Sequence, residues 1–423
     1  MQSLSTIALI SVHSDPAVKT GNQNIYVSQL GEALSRLGWQ VDMFTRKTDL
    51  SQEDIIQHNP RCRTIRLTAG PKQFIPEQYL VGYLPTFLQQ LLQFQRENNI
   101  QYQLIHTNFW LSAWVGMKLK KVQSLKHIHT FHTLGAVKYA NDSSICNLTK
   151  NRLRIEKTCL KTADLNIATC PQQRNYLREL VSDKGYVEII PCGTDPNLFG
   201  SISHYEARRK LGIESDLFNI IYVGKFNRRQ GVETLIKAIS KPQLRSLGNN
   251  IHLTIVNNSS KPSLLLMKRI EKLVSDSKID RLTTFVKQIS REKLAAYYAA
   301  ADVCVVPSQY NPSGIVAMEA MASGTPVIAS DVGGLKYVVE HEKSGLLFPS
   351  QNSFLLAQAI SRLMDNAQLR LKMSVSARER VFELFTWDEV ASQLSELYTE
   401  QIGQQNVELL DKSLRDSVMV VGV

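Results

Sequence analysis

Short apolar runs alternate with longer amphipathic stretches along nearly the whole chain. "IALISV", "VDMFTR", "YQLIHT", "LKHIHTF", "LNIATC" and "VEIIPC" have the length and make-up of buried strands. Between the first two, "IYVSQLGEALSRLG" carries apolar residues at helical spacing and ends on Gly38. The alternation predicts a parallel sheet with helices on both faces. The pattern then restarts, with "FNIIYVGK", "IHLTIVN", "RLTTFVK", "DVCVVPS" and "TPVIAS" as strands between further helices. "CGTDPNLFGSISH", residues 192–204, is rich in Gly, Pro, Ser and Asp and reads as the linker.

The expected fold class is therefore α/β, with two facing doubly wound domains over residues 1–195 and 205–385. Thr386-Trp387-Asp388-Glu389 has the form of a capping box and opens a further helix, 386–402, followed by a weakly patterned tail, 403–423. The terminal "VMVVGV" fits either a docked strand or an exposed peptide. Ligands of doubly wound sheets sit outside the carboxyl ends of the strands, so the cleft between the domains is the expected site.

Composition narrows the class. Of 423 residues, 43% are hydrophobic and 21% charged, which excludes a disordered chain. No apolar run approaches the roughly 20 residues that cross a bilayer. "STIALISVH" lacks a basic leader and reads as a first strand, so a cytoplasmic protein is expected. The six cysteines are scattered without metal-binding or CxxC spacing, which predicts reduced, mostly buried thiols and no metal site. A net charge of +11 favours anionic partners. No nucleic-acid motif accompanies it, so nucleic acid is not an expected partner. Basic groups cluster at Lys118, Lys120 and Lys121, and again at Lys150, Arg152, Arg154, Lys157 and Lys161. The plain reading of both clusters is solvated surface; the functional one, for the Lys118–Lys121 face, is peripheral contact with an anionic membrane and a lipid acceptor.

Four turns carry candidate chemistry. Gly21 precedes a helix beginning near Asn24 and lets backbone amides approach an anion, although a plain tight turn explains it as well. In "VGKFNRRQGVETL", Lys225, Arg228 and Arg229 lie between a strand and a helix that starts near Gly231, a setting suited to a diphosphate. In "QYNPSGIVAMEAMASGTPV" a helix is expected from about Ser313 to Ser323, with the amides of Ser313, Gly314 and Ile315 and the Glu319 carboxylate towards the ligand. There Asn311 before Pro312 also reads as a helix cap. His132 in "HTFHTLGAVKYA" and His106 in "LIHTNFWLSAWVG" both stand at the ends of strands, beside Trp110 and Trp114 that read as core or wall.

Taken together, "NIYVSQLGEALSRLGWQVDMFTR", "LIHTNFWLSAWVG", "TFHTLGAVKYA", "IPCGTDPNLF" and "GIVAMEAMASGTPVIASDVGGLKYVVEHEKSGLLF" resemble glycosyltransferase family 4, of GT-B fold, over residues 6–402. The nearest branches are the sucrose-phosphate synthase glucosyltransferase domain and the N-acetylglucosaminyltransferases of mycothiol synthesis. The resemblance implies a retaining, metal-independent transfer from a nucleotide-diphosphate sugar, which is the donor substrate, with no separate cofactor. It implies that Glu319 holds the ribose hydroxyls, Lys225 the phosphates and His132 the transferred sugar. Gly21 and the Gly314–Val316 amides would line the donor's phosphates and sugar. Acceptors of this class are a sugar, a sugar phosphate or a lipid, and the final helix would cross back onto the first domain.

Departures from the family pattern gather in the donor pocket. Asn311 replaces the family's sugar-gripping glutamate, Ser313 a phenylalanine, and Gln230 a phosphate-binding lysine beside which Arg229 offers a substitute. Two Gly-Gly pairs are Gly21-Asn22 and Asn257-Asn258. A hydrogen bond to a charged acceptor is worth roughly 1.5–3 kcal/mol against about 1 for a neutral one. The Asn311 change alone thus weighs on the order of tenfold in rate. An active transferase with an altered donor pocket, a catalytically silent GT-B protein that binds a sugar nucleotide or a partner, and a nucleotide-sugar epimerase are the three readings these residues allow.

Overall fold

The eleven apolar runs read above as strands all form strands, whereas the terminal "VMVVGV" is helical up to Val420 and otherwise lies outside the described residues. In the computed structural model, which describes residues 6–18, 21–140, 147–245, 250–257, 263–287 and 289–420, the chain divides into two units. Side chains of residues 22, 147–148, 245 and 406–420 lie outside that description, as do Cys146 and Asn258 altogether. Unit 1 comprises residues 1–169, 173–190 and 390–423, and unit 2 comprises residues 170–172 and 191–389.

Unit 1 holds β1 (Thr6–Ile10), β2 (Gln40–Arg46), β3 (Ile55–Asn59), β4 (Cys62–Leu67), β5 (Leu104–Asn108), β6 (Lys126–Thr130), β7 (Leu165–Ala168) and β8 (Val187–Ile189). Their order is β3-β4-β2-β1-β5-β6-β7-β8, parallel except for the β3–β4 pair. Ile7 lies opposite Val41 on one side and Leu104 on the other, so the strand order reverses at β1–β5. Unit 2 holds β9 (Phe218–Gly224), β10 (Ile251–Asn257), β11 (Thr283–Val286), β12 (Val303–Val306), β13 (Val327–Ser330) and β14 (Gly345–Phe348). All are parallel, in the order β11-β10-β9-β12-β13-β14, and reversal falls at β9–β12. These two switch points are where a doubly wound sheet offers a ligand the open ends of its strands.

The central strands are apolar on both sides because helices cover both faces. β9 is buried at all seven positions, and its Ile220 and Tyr222 join Leu235, Ile255, Val305 and Leu356 in one core. β3, β4 and β14 are the strands that the apolar runs did not mark. β3 is exposed or half-buried throughout, and β4 carries Arg63 and Arg66 among its apolar residues. Those arginines are neutralised inside the fold, Arg63 by Asp42 at 2.7 Å and Arg66 by Asp15 at 2.8 Å.

The 192–204 segment expected to be a linker belongs to unit 2 from Pro191 onward. Asp195 accepts from the Asn197 and Leu198 amides and caps the short Pro196–Phe199 helix, while Phe199 is fully buried. Turn-forming residues here build a packed corner, not a free connection. Thr194 donates its amide to Phe385 O at 2.7 Å, so unit 2 begins and ends side by side.

The last helix, Trp387–Val420, starts where the Thr386 hydroxyl accepts from the Glu389 amide at 3.0 Å. It runs well past the expected end at residue 402, because one glycine, Gly403, costs a helix only about 1 kcal/mol and good helix formers surround it. From Val390 it belongs to unit 1. There Ser395 accepts from the Trp39 indole at 2.8 Å, and the Tyr398 hydroxyl meets His106 Nδ1 at 2.5 Å. His106 Nε2 meets Thr130 Oγ1 at 2.7 Å. His106 is thus fully buried and structural, tying the helix to β5 and β6; it is no ligand contact. Tyr398→Phe is expected to cost about 1–3 kcal/mol by leaving a buried ring nitrogen unpaired; chemical denaturation measures it, and an unchanged midpoint would show that this bond does not hold the helix.

Candidate active site

Unit 2 builds its site at the β9–β12 reversal. β9 ends on Gly224, and the exposed Lys225 follows it directly. Asn227 Oδ1 accepts from the Gln230 amide and folds Arg228–Gln230 into one 3-10 turn. Gly231 closes that turn at φ 72°, where a Cβ would come within 1.9 Å of Pro307 O. No residue with a side chain fits this contact, so the basic turn is pressed against the end of β12. The Gln309 amide then donates to Arg229 O at 2.7 Å and joins the turn to the loop carrying Asn311. Gln230 Oε1 lies 3.4 Å from where a Gly224 Cβ would stand, at the strand end itself. Nearby, two buried side-chain atoms, Asn257 Oδ1 and Ser308 Oγ, have no hydrogen-bond partner among the described residues. Buried polar atoms without partners are rare in a closed core and expected where a ligand docks.

Asn311 does not cap the helix as expected. The helix is Ile315–Ala322, and Gly314, at φ 66°, precedes it. Asn311 Oδ1 accepts from the Gly314 amide at 3.0 Å and so stabilises the turn one step earlier. That contact removes the Gly314 amide from the set expected to line the donor, leaving those of Ser313, Ile315 and Val316 at the helix start. The loop is clamped from behind: the Gly334 amide donates to Asn311 O at 2.8 Å, and a Cβ on Gly333 would lie 2.5 Å from the same oxygen.

Glu319 sits in the second turn of this helix and is 5% exposed. The Tyr298 hydroxyl donates to its Oε2 at 3.1 Å, and Arg291 Nη2 lies 3.4 Å from its Oε1. Burial pushes the Glu319 carboxyl above its usual range, and Arg291 and Tyr298 draw it back. A carboxylate offers about four acceptor positions, so two remain for ligand hydroxyls. Arg291 and Tyr298 escaped the sequence reading because they come from a separate helix, Arg291–Ala299, and nothing in its pattern marks them.

In unit 1, Gly21 stands at φ 90° before the Asn22–Arg36 helix, with nothing within 4 Å of a Cβ built on it. Gln23 donates to Ser11 Oγ at 3.2 Å and to Asn108 O at 3.4 Å, which seats the start of that helix over the β1–β5 reversal. Asn108 Oδ1 in turn accepts from His132 Nε2 at 2.9 Å. His132 adopts φ 57°, packs edge-on against Tyr26 at 4.6 Å and is half-buried. Loss of solvation, with smaller effects from His106 and His13, pushes its pKa down to about 3. It is therefore a neutral imidazole at pH 7, able to exchange hydrogen bonds with a sugar but not to supply charge.

In the two basic clusters Lys118, Lys121, Lys150, Arg154, Lys157 and Lys161 are exposed as expected, whereas Lys120 is half-buried and Arg152 buried. Lys120 pairs with Asp164 at 2.7 Å, and Lys118 lies over the Trp114 ring at 5.5 Å. Arg152 is wholly buried and bonded through Nε to Glu156 at 2.7 Å. Cys62, Cys159, Cys170, Cys192 and Cys304 are buried free thiols, and burial drives Cys62 and Cys192 up to about 12. Among the described residues one trio brings metal-binding atoms within 4.8 Å of one another, His127, His129 and Cys159. Thr107 Oγ1 lies between the two rings at 2.7 and 2.9 Å. A Cβ on Gly116 would approach His127 Nε2 to 2.3 Å. Burial holds His127 down to about 3, so this is a close-packed neutral cluster. No helix among the described residues is long and apolar enough to cross a membrane.

Comparison with known proteins decides the family. Residues 23–198 match the description "Glycosyltransferase Family 4" and residues 204–380 match "Glycosyl transferases group 1". The chain is 32% identical over 405 residues to the D-inositol 3-phosphate glycosyltransferase of Corynebacterium efficiens, covering 93% of this chain and 95% of that one. It belongs to glycosyltransferase family 4. The Corynebacterium jeikeium enzyme of the same name is 33% identical over 409 residues, 93% of this chain and 96% of its own. Among solved structures, sucrose-phosphate synthase from Thermosynechococcus elongatus superposes with a TM-score of 0.86 at 45% identity, over 95% of this chain and 100% of that chain. The glycosyltransferase thus has the GT-B fold that its motifs implied, with Lys225, Arg229 and Gln230 brought together with Asn311 and its loop in unit 2, and Gly21 and His132 in unit 1.

Proposed function

We propose that this glycosyltransferase moves a hexosyl group from a nucleoside-diphosphate sugar to an acceptor hydroxyl, with retention at the anomeric carbon and no metal ion. The observation that carries the reading is the coupling of the Lys225–Gln230 basic turn to the Asn311 loop through the Gln309–Arg229 bond, at the switch point of unit 2. A diphosphate placed there meets the cations of the turn and the amide end of the Ile315–Ala322 helix. The buried Glu319 suits the paired hydroxyls of a ribose. Prealigned charges of this kind stabilise the negative charge that builds on a departing diphosphate without having to reorganise; the cations do here what a bound metal does elsewhere.

In the proposed step the acceptor oxygen bonds to the anomeric carbon on the face the diphosphate leaves. The carbon–oxygen bond to phosphate breaks, and the acceptor's proton passes to the departing phosphate oxygen. No protein base is required, which accords with the lowered pKa of His132, a poor proton acceptor. The named relatives make an inositol-phosphate glycoside and a sucrose phosphate by their titles, and the acceptor hydroxyl here belongs to a sugar, sugar phosphate or lipid.

A silent, ligand-binding role is the second reading, and one observation favours it: Asn311 spends its amide oxygen on Gly314. A panel of UDP-, ADP- and GDP-sugars, assayed for binding, hydrolysis and transfer, separates the two. Turnover with at least one donor is expected; binding without turnover throughout would leave the silent reading standing. Asn311→Glu is expected to raise kcat about tenfold, the difference between an amide and a carboxylate acceptor. A fall in kcat would show instead a donor that requires the amide.

A further inference from the structure

A second cluster of charged groups lies in unit 1, at the carboxyl ends of β1, β5 and β6, and no role above uses it. Its floor is Arg152, 0% exposed, with Nε on Glu156 and Nη2 on Thr133 O at 2.9 Å. Glu156 also accepts the Gly135 amide at 2.9 Å. The rim is Glu77 and Lys138, with side chains 29% and 39% exposed and 4.0 Å apart. Glu77 Oε1 accepts from the Trp110 indole at 2.7 Å and stands 3.7 Å from Arg152 Nη1.

Two buried atoms in this cluster have no hydrogen-bond partner among the described residues: Arg152 Nη1, which has only the 3.7 Å ion pair with Glu77, and His13 Nδ1. Both flank Phe109, whose ring lies 4.5 Å from that of His13 and 4.8 Å from the guanidinium. Phe109 holds φ 73°, and a bulky residue in that region is strained. Strain of that kind collects at ligand sites. A fixed guanidinium, an imidazole and a partly exposed carboxylate therefore converge at the open end of the sheet, with donor and acceptor capacity left over.

The charges decide what fits. Among the described residues Arg152 and Lys138 are balanced by Glu156 and Glu77, so the cluster carries no net charge. A phosphate dianion entering it would meet the Glu77 carboxylate and a guanidinium already committed to Glu156. Like charges set side by side in a recess are rejected strongly. A hydroxyl avoids this conflict, since it donates to Glu77 and accepts from Arg152 Nη1 at once.

We propose that the acceptor is an uncharged polyhydroxyl compound, held in unit 1 by Glu77, Arg152 and His13; this rests on the transferase reading above and selects among its acceptors. The test pairs glucose with its 6-phosphate, and inositol with its monophosphate, as acceptors for the wild type and Glu77→Gln. The unphosphorylated member of a pair is expected to have the higher kcat/KM by about tenfold or more, and Glu77→Gln to shrink that ratio by a similar factor. A wild-type preference for the phosphomonoester, or a ratio unmoved in Glu77→Gln, would overturn the proposal. Calorimetry with inorganic phosphate, with UDP present in excess, decides the case without any transfer. Affinity about tenfold higher in Glu77→Gln than in wild type supports the proposal, and equal affinity counts against it. Absence of transfer and of nucleotide-sugar binding would defeat the transferase reading alone, because the phosphate comparison still reports on this cluster.

Discussion

Glu319→Ala is expected to lower the stability of unit 2 by up to about 3 kcal/mol, since it strands a half-buried cation and a buried hydroxyl. The reason is local. Arg291 Nη2 finds its carboxylate partner in Glu319 at 3.4 Å, and its Nε already has no hydrogen-bond partner among the described residues. Tyr298, wholly buried, loses its acceptor in the same substitution. Glu319→Gln keeps an acceptor for Tyr298 and is expected to leave a folded protein, which makes it the informative partner for binding work. If Glu319 also holds the ribose, Glu319→Gln weakens nucleotide binding by about tenfold, the usual gap between a charged and a neutral acceptor. Urea unfolding and calorimetry read the two effects separately. A stable Glu319→Ala protein with full nucleotide affinity would remove this residue from both roles.

Acid is expected to weaken unit 1 before unit 2. His106, His127 and His129 are all fully buried in unit 1. Burial pushes His106 and His127 down to about 3 and His129 well below its ordinary 6.5. Their folded pKa values lie below the unfolded one, so the unfolded chain takes up protons that the folded unit refuses. Stability is then complete above the unfolded pKa and is lost as pH falls from about 6.5 towards 3. Between pH 7.5 and 5.5 each ring should remove about 1.4 kcal/mol, or about 4 kcal/mol for the three. Denaturation followed at the two pH values, with limited proteolysis to assign each transition, checks it. A pH-independent unit 1 transition would mean that these rings charge freely in the folded state.

Much of this architecture was written in local patterns. Eleven strands announced themselves through short apolar runs, bounded by turn residues and alternating with amphipathic stretches. β4 did not, because Arg63 and Arg66 become acceptable in a sheet only through Asp42 and Asp15, which lie far away in sequence. The same limit governs the sites. The basic turn and Glu319 stand in short motifs whose spacing is visible, whereas Arg291, Tyr298 and the Arg152–Glu156–Glu77 group are assembled by packing between distant elements. Asn311 shows the intermediate case. Its capping chemistry was legible, but its partner was not, because Gly314 takes a left-handed conformation and the helix starts later than Pro312 implied.

The central claim is that unit 2 grips a nucleoside-diphosphate sugar at the β9–β12 switch point. Hydrogen exchange followed by mass spectrometry, with and without the donor that the panel identifies, tests it most directly. Slower exchange is predicted in residues 224–231 and 309–319, and Glu319→Gln should reduce that protection. Protection confined to other segments, with these two unchanged at saturating donor, would contradict it.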